Sequence, residues 1–220
     1  MTSEWRTNHE SIVICGRTGS GKSTLAKTVH SNSPRISIWL NEKGADREPR
    51  VSGKRVRTPR ALESGLRDGI STYNWISSNR ERDVQALQKW CWRKYQVAKD
   101  RGVGTPKFQI IIDEAHREAP QTNKKDVASR DAIRRLMREG RKRGVKTILC
   151  SQQVQSLDKQ SIRERGYLCA FELSIEQQRY MRDYGVDVND VQDLKDYSCI
   201  VYRADGTVEE RNVRGDSRYA

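Results

Sequence analysis

Ser11-Ile12-Val13-Ile14-Cys15-Gly16-Arg17-Thr18-Gly19-Ser20-Gly21-Lys22-Ser23-Thr24 is the stretch whose reading decides the fold. The apolar run Ile12 to Cys15 reads as a short buried strand, and Lys22 to about His30 reads as a helix. Between them, every fixed position of G-x-x-x-x-G-K-[ST] is filled, in the strand–loop–helix context the motif requires. Its glycines let backbone amides curl around phosphate oxygens with no Cβ in the way. Gly16, Arg17, Thr18, Gly19, Ser20, Gly21, Lys22, Ser23 and Thr24 are therefore the nucleotide-binding candidates. Lys22 brings positive charge to the β- and γ-phosphates, and the Ser23 hydroxyl is placed to bind Mg²⁺. The helix N-terminus adds its own partial positive charge. No role follows from the sequence for the side chains of Arg17, Thr18 and Ser20.

Working outward, Ile36 to Leu40, Ile70 to Ile76, Phe108 to Ile112, Val145 to Cys150 and Tyr167 to Leu173 read as strands. Helices are expected from Pro59, from Glu81 to Asp100 and from about Val127 to Arg143, with more around the last parallel strand. The continuous β-branched character of Phe108–Ile112 suggests burial on both faces. Strands alternating with helices predict an α/β fold of three layers, with a mostly parallel central sheet. Cys199 to Tyr202 and Thr207 to Arg211, around a turn at 204–206, read as a C-terminal hairpin. We expect one domain over residues 1–220, with its core in 11–173 and a helix and hairpin in 174–220. Residues 42–60 carry seven basic and three acidic side chains and read as a surface excursion with a short edge strand at Lys54 to Arg57. In Trp90-Cys91-Trp92, on an amphipathic helix, a core role is favoured over an interface.

Ile110-Ile111-Ile112-Asp113-Glu114 delivers two carboxylates to the C-terminal end of a strand, where such sheets bind ligands. Asp113 is placed to reach Mg²⁺. Glu114 can orient and deprotonate a water. A small-molecule kinase has no need of that second carboxylate, so the pair points to hydrolysis. The next strand ends in Ser151-Gln152-Gln153, and Gln152 is the choice for contacting the γ-phosphate or the attacking water. From Arg130 to Lys146 there are eight basic residues against two acidic ones. Ile133, Leu136, Met137 and Gly140 form the inward stripe, and Arg130, Arg134, Arg138 and Arg141 line another face. Such a one-signed helix suits DNA phosphates, through Arg130, Arg134, Lys142 and Arg143. It equally suits a neighbouring subunit's nucleotide, reached by an arginine such as Arg135, Arg138, Arg141 or Arg143.

Composition agrees with an anionic partner. The 220 residues carry a formal charge of +13, with 42 Lys and Arg against 29 Asp and Glu. No apolar run approaches the roughly 20 residues of a membrane span, and no signal peptide is visible. The five cysteines form no CxxC pair and read as buried reduced thiols, and the three histidines suggest no metal site.

GRTGSGKS, IIIDEAH and RRLMREGRKRGVKTILCSQQ together resemble the FtsK–HerA group of P-loop ATPases, over residues 11 to about 173. The resemblance implies an ATP- and Mg²⁺-dependent hydrolase that moves double-stranded DNA through a homo-oligomeric ring, a hexamer or pentamer. By position, it implies phosphate and Mg²⁺ binding by Lys22 and Ser23, Mg²⁺ binding by Asp113, water activation by Glu114 and γ-phosphate contact by Gln152. It implies an arginine acting in trans, for which Arg138 and Arg141 are candidates. With none of the extra domains of chromosome pumps or of HerA, the chain looks like the genome-packaging ATPases of tailless, membrane-containing icosahedral viruses. That implies a cytoplasmic protein, acting in a host or at a virion packaging vertex, with capsid or membrane-vertex proteins as partners. A plasmid-transfer, helicase-loading or phage-assembly ATPase is the alternative within the motors. Outside them stand a P-loop kinase of a small molecule and a non-enzymatic protein that coats nucleic acid.

Overall fold

The computed structural model describes residues 10–41, 51–121, 127–192 and 194–214. Residues 42–50, the first part of the expected surface excursion, lie outside these. The strands are β1 (Ile12–Cys15), β2 (Ile36–Asn41), β3 (Lys54–Val56), β4 (Thr72–Ile76), β5 (Phe108–Ile112), β6 (Val145–Ser151), β7 (Tyr167–Ala170), β8 (Ser198–Arg203) and β9 (Val208–Asn212). Among the described residues they form one sheet in the order β3-β4-β2-β5-β6-β1-β7-β8-β9. β1 to β7 are parallel, and β8 and β9 add an antiparallel hairpin. The expected α/β class and the C-terminal hairpin are both present.

The helices are α1 (Lys22–Ser31), α2 (Pro59–Arg67), α3 (Arg80–Asp100), α4 (Ala128–Glu139), α5 (Lys159–Arg163), α6 (Ile175–Met181) and α7 (Val188–Gln192). The expected helix to Arg143 is thus shorter. It ends at Gly140, and Arg141–Arg143 form a separate 3₁₀ turn. Capping sets several starts. Thr58 accepts from the Ala61 N–H ahead of Pro59, and Asn79 accepts from the Arg82 N–H with Glu81 and Asp83 in the first turn. α1 differs: its cap is Gly21, no side chain caps it, and no acid lies in its first turn. Its first N–H groups therefore stay available to an anion.

β5 shows why the layers hold. Ile110 and Ile112 pack with Val84, Leu87, Trp90, Ile133 and Leu136 from α3 and α4. Ile111 faces the other way, with Leu25 and Ala26 of α1 and with Val201 of β8. Each such isoleucine, fully enclosed, contributes about 1.5–3 kcal/mol. Trp90 and Cys91 are core, as expected, whereas Trp92 is half-buried beneath the Arg143 guanidinium, 4.8 Å from its ring. All five cysteines are free and buried.

A polar thread crosses the core beneath α1. Gln109 Nε2 donates to the Val29 carbonyl and to Ser37 Oγ, which lies 2.7 Å from His30 Nδ1. His30 Nε2 faces the Ser52 carbonyl at 3.1 Å. A carbonyl only accepts, so Nε2 carries the proton and Nδ1 accepts from Ser37. Burial holds the His30 pKa down at about 4, against 6.5 when exposed. The charged ring is thus disfavoured in the fold. His30's contribution to stability should be fully present above pH 6.5 and be lost as pH falls toward 4, by about 3 kcal/mol in all. Urea unfolding between pH 4 and 7 should show this slope, and His30→Gln should flatten it.

Candidate active site

The strand order brings three chain segments to one edge of the sheet. The phosphate loop follows β1, Asp113 and Glu114 follow β5, and Gln152 follows β6, which lies between the other two. Gly21 turns the loop into α1 at φ 112°, a conformation that side chains rarely adopt. A Cβ there would lie 3.1 Å from the Phe171 and Tyr197 rings. Lys22 is only 5% exposed, and its Nζ donates to the Arg17 carbonyl at 2.7 Å. Burial pulls its pKa down, while the thiols of Cys150 and Cys15 and the carboxylates of Glu114 and Asp113 oppose the shift. Lys22 therefore sits within the field of both acids. Arg17 turns outward to Glu172, at 2.5 Å.

Glu114 occupies the left-handed region, φ 51° and ψ 44°, and starts a 3₁₀ turn over Ala115–Arg117. For a residue with a Cβ this costs about 1–2 kcal/mol. The Asp113 carboxylate offsets part of it by accepting the Glu114 N–H at 3.1 Å. The turn aims the Glu114 carboxylate back toward β6. Its Oε2 is 3.5 Å from the Gln152 backbone nitrogen and 3.4 Å from His116 Nδ1. That ring nitrogen is also 3.1 Å from Ser151 Oγ. Burial lowers the His116 pKa, with Glu114 opposing.

Gln152 joins the segments. Its Oε1 accepts from Thr18 Oγ1 at 2.7 Å, and its backbone carbonyl accepts from Gln177 Nε2. Gln177 is fixed in turn by a capping box with Ser174 at the start of α6. Thr18, without a role in the sequence, is thus the loop's link to β6. The cavity between these groups measures about 300 Å³ and is lined by loop residues, Gln152 and Tyr197.

Arg80 is the residue that motif reading misses. It starts α3, donates to the Asp113 carbonyl and pairs with Glu118 at 2.7 Å, both side chains nearly enclosed. Burial pushes Glu118 up to about 7, against the opposing pull of Arg80. The only sequence hint of Arg80 is a basic residue where the helix macrodipole favours an acid.

The Mg²⁺ donors fit the group chemically. Ser23 and Asp113 offer hard oxygens, and no cluster of three His, Cys, Asp or Glu among the described residues could hold a metal alone. Mg²⁺ typically takes one or two protein ligands and completes its shell from phosphates and water.

The arginines of α4 do not converge on this cavity. Arg130, expected on an exposed face, is buried at 5% exposure, because it lies three and seven residues before the inward Ile133 and Met137. Arg134 is held by Asp158 at 2.5 Å and 3.0 Å. Burial raises the Asp158 pKa, but its bonds from Arg134 and Ser161 prevail and leave it lowered. Arg130 is thus enclosed, whereas Arg134 is ion-paired but half-buried. Arg138 and Arg141 are exposed and paired with Glu139 and Glu10. Arg143 pairs with Glu139, and Lys142 is exposed. Residues 141–143 enter β6 at its N-terminal end, opposite the phosphate loop.

This architecture is the P-loop NTPase fold. No family model and no curated protein matches the sequence. Among solved structures, the chain is similar to the genome packaging NTPase B204 from Sulfolobus turreted icosahedral virus 2 in complex with AMPPCP. The TM-score is 0.69 at 20% identity, covering 91% of this chain and 96% of that one. B204, the DNA-packaging ATPase from Sulfolobus turreted icosahedral virus, gives 0.67 at 21%, covering 92% and 97%. The cytoplasmic domain of the Thermomonospora curvata type VII secretion ATPase EccC gives 0.60 at 16%, covering 92% of this chain but 25% of that one.

Arg80→Met should lower stability by about 3 kcal/mol, since it strands a buried acid. Adding Glu118→Gln should recover part of that loss, as read by urea unfolding of both variants.

Proposed function

We propose that this chain is an ATP hydrolase of the FtsK–HerA type that drives double-stranded DNA, as a viral genome packager. One observation carries the hydrolytic part. Glu114 and Gln152, from neighbouring strands, meet on one side of the phosphate loop, with Gln152 bonded to Thr18 within it. Lys22 and the open first turn of α1 hold the triphosphate. Ser23 and Asp113 would hold Mg²⁺, which would supply positive charge to offset that of the phosphates. Glu114 takes a proton from water as the water oxygen bonds to the γ-phosphorus. The bond to the β-phosphate oxygen breaks, releasing ADP and inorganic phosphate. Gln152 senses the γ-phosphate and passes its presence to α6 through Gln177.

The DNA part is supported by the +13 charge and by the span of the likeness, nearly the full length of the B204 chain. With Arg130 buried and Arg134 ion-paired to Asp158, we assign DNA contacts and any arginine acting in trans to the exposed Arg135, Arg138, Arg141 and Lys142. A homo-oligomeric ring would bring them to DNA or to a neighbour's nucleotide. No described helix is long and apolar enough to cross a membrane.

Glu114→Gln should bind ATP as the parent does yet turn over about 10²–10⁴-fold more slowly, the usual worth of a general base. Double-stranded DNA should accelerate the parent, and the effect should fade as salt rises. Unchanged turnover in the variant removes Glu114 from the mechanism. Indifference to DNA removes the motor.

A further inference from the structure

The nucleotide cavity has an aromatic wall that hydrolysis leaves unused. Tyr197, just ahead of β8, borders it beside the loop. Its backbone is left-handed, φ 62°, uncommon for a bulky side chain and a form of strain that concentrates at ligand sites. Three contacts hold it there. Its carbonyl accepts the Val213 N–H at 2.8 Å, its ring abuts Gly21, and the Arg214 guanidinium lies 4.5 Å from the ring centroid.

Strand order gives the ring its meaning. Glu114 and Gln152 flank the loop on the side of β6 and β5, while Tyr197 reaches it from beyond β7, on the other side of β1. A triphosphate whose terminal phosphate faces Glu114 therefore extends its nucleoside toward Tyr197. We infer that Tyr197, steadied by Arg214, is the platform on which the nucleobase stacks. An aromatic ring reads the face of a base rather than its hydrogen-bonding edge. The platform therefore takes ATP and GTP alike. This assignment rests on the nucleotide reading above.

The test is calorimetric binding of ATP, GTP and inorganic tripolyphosphate to the full chain and its variants. Tyr197→Asn removes the ring with a residue that tolerates the left-handed backbone. It should weaken ATP and GTP about tenfold or more, the usual worth of base–aromatic stacking. Tripolyphosphate should bind as before, and Tyr197→Phe should bind all three like the parent. Unchanged ATP affinity in Tyr197→Asn overturns the platform. So does equal weakening of ATP and tripolyphosphate, which would mean the ring only shapes the loop. A parent that prefers ATP to GTP about a hundredfold also overturns it, since that needs edge recognition. A parent that binds none of the three sinks the nucleotide reading and the platform with it. Lys22→Ala, losing tripolyphosphate as well as ATP, marks a phosphate defect apart from a base defect.

Discussion

The hydrogen-bonded insertion of β6 between β1 and β5 sets the geometry on which the site depends. Neighbouring strands lie 4.7–4.9 Å apart, so the phosphate loop and the Asp113–Glu114 tip stand about 10 Å from each other. That gap suits a terminal phosphate and one water. The tip of the intervening strand falls in the middle of it. Gln152 accordingly touches the loop through Thr18 and lies beside Glu114 through its own backbone. Were β1 and β5 a strand further apart, no single side chain would reach both.

The register has its own supports. β6 is buried along all seven residues, and β5 along all five. Both are pinned from two sides, since slipping either by one residue would exchange the faces packed on α1 and on α3 and α4. At the loop end, the left-handed turn at Glu114 is held by Asp113 below and by Arg80 behind. This end of the sheet thus carries two strained backbone positions, Glu114 and Tyr197.

What could be read in the sequence was what local pattern controls. β1, β5 and β6 show as apolar runs because each is buried on both faces, and the phosphate loop shows because its spacing is dictated by its ligand. β3, expected at Lys54 to Arg57, is present at Lys54–Val56, one residue shorter. Arg80, Gln177 and Tyr197 were not legible. Each reaches the site from a segment far away in the chain, and nothing in its neighbours marks its destination. Arg130 was misread for a different reason. Its charge suggested solvent, while its spacing to Ile133 and Met137 already placed it on the inward stripe. Arg134 needed Asp158, a helix cap 24 residues further on, to reveal its commitment.

The two margins of the sheet have a consequence for self-association. β3 ends one margin after three residues with Lys54 and Arg55 exposed, and β9 ends the other with the charged run Val208-Glu209-Glu210-Arg211-Asn212. Short or charged outer strands resist pairing with strands of another chain. Edge-to-edge joining of copies into one continuous sheet is thus disfavoured by the described strands. In the proposed ring, contacts between copies would then run through side chains on helices and loops, a seam that can shear without tearing backbone hydrogen bonds. In that ring, such a seam would let neighbouring copies shift against one another while every sheet stays whole.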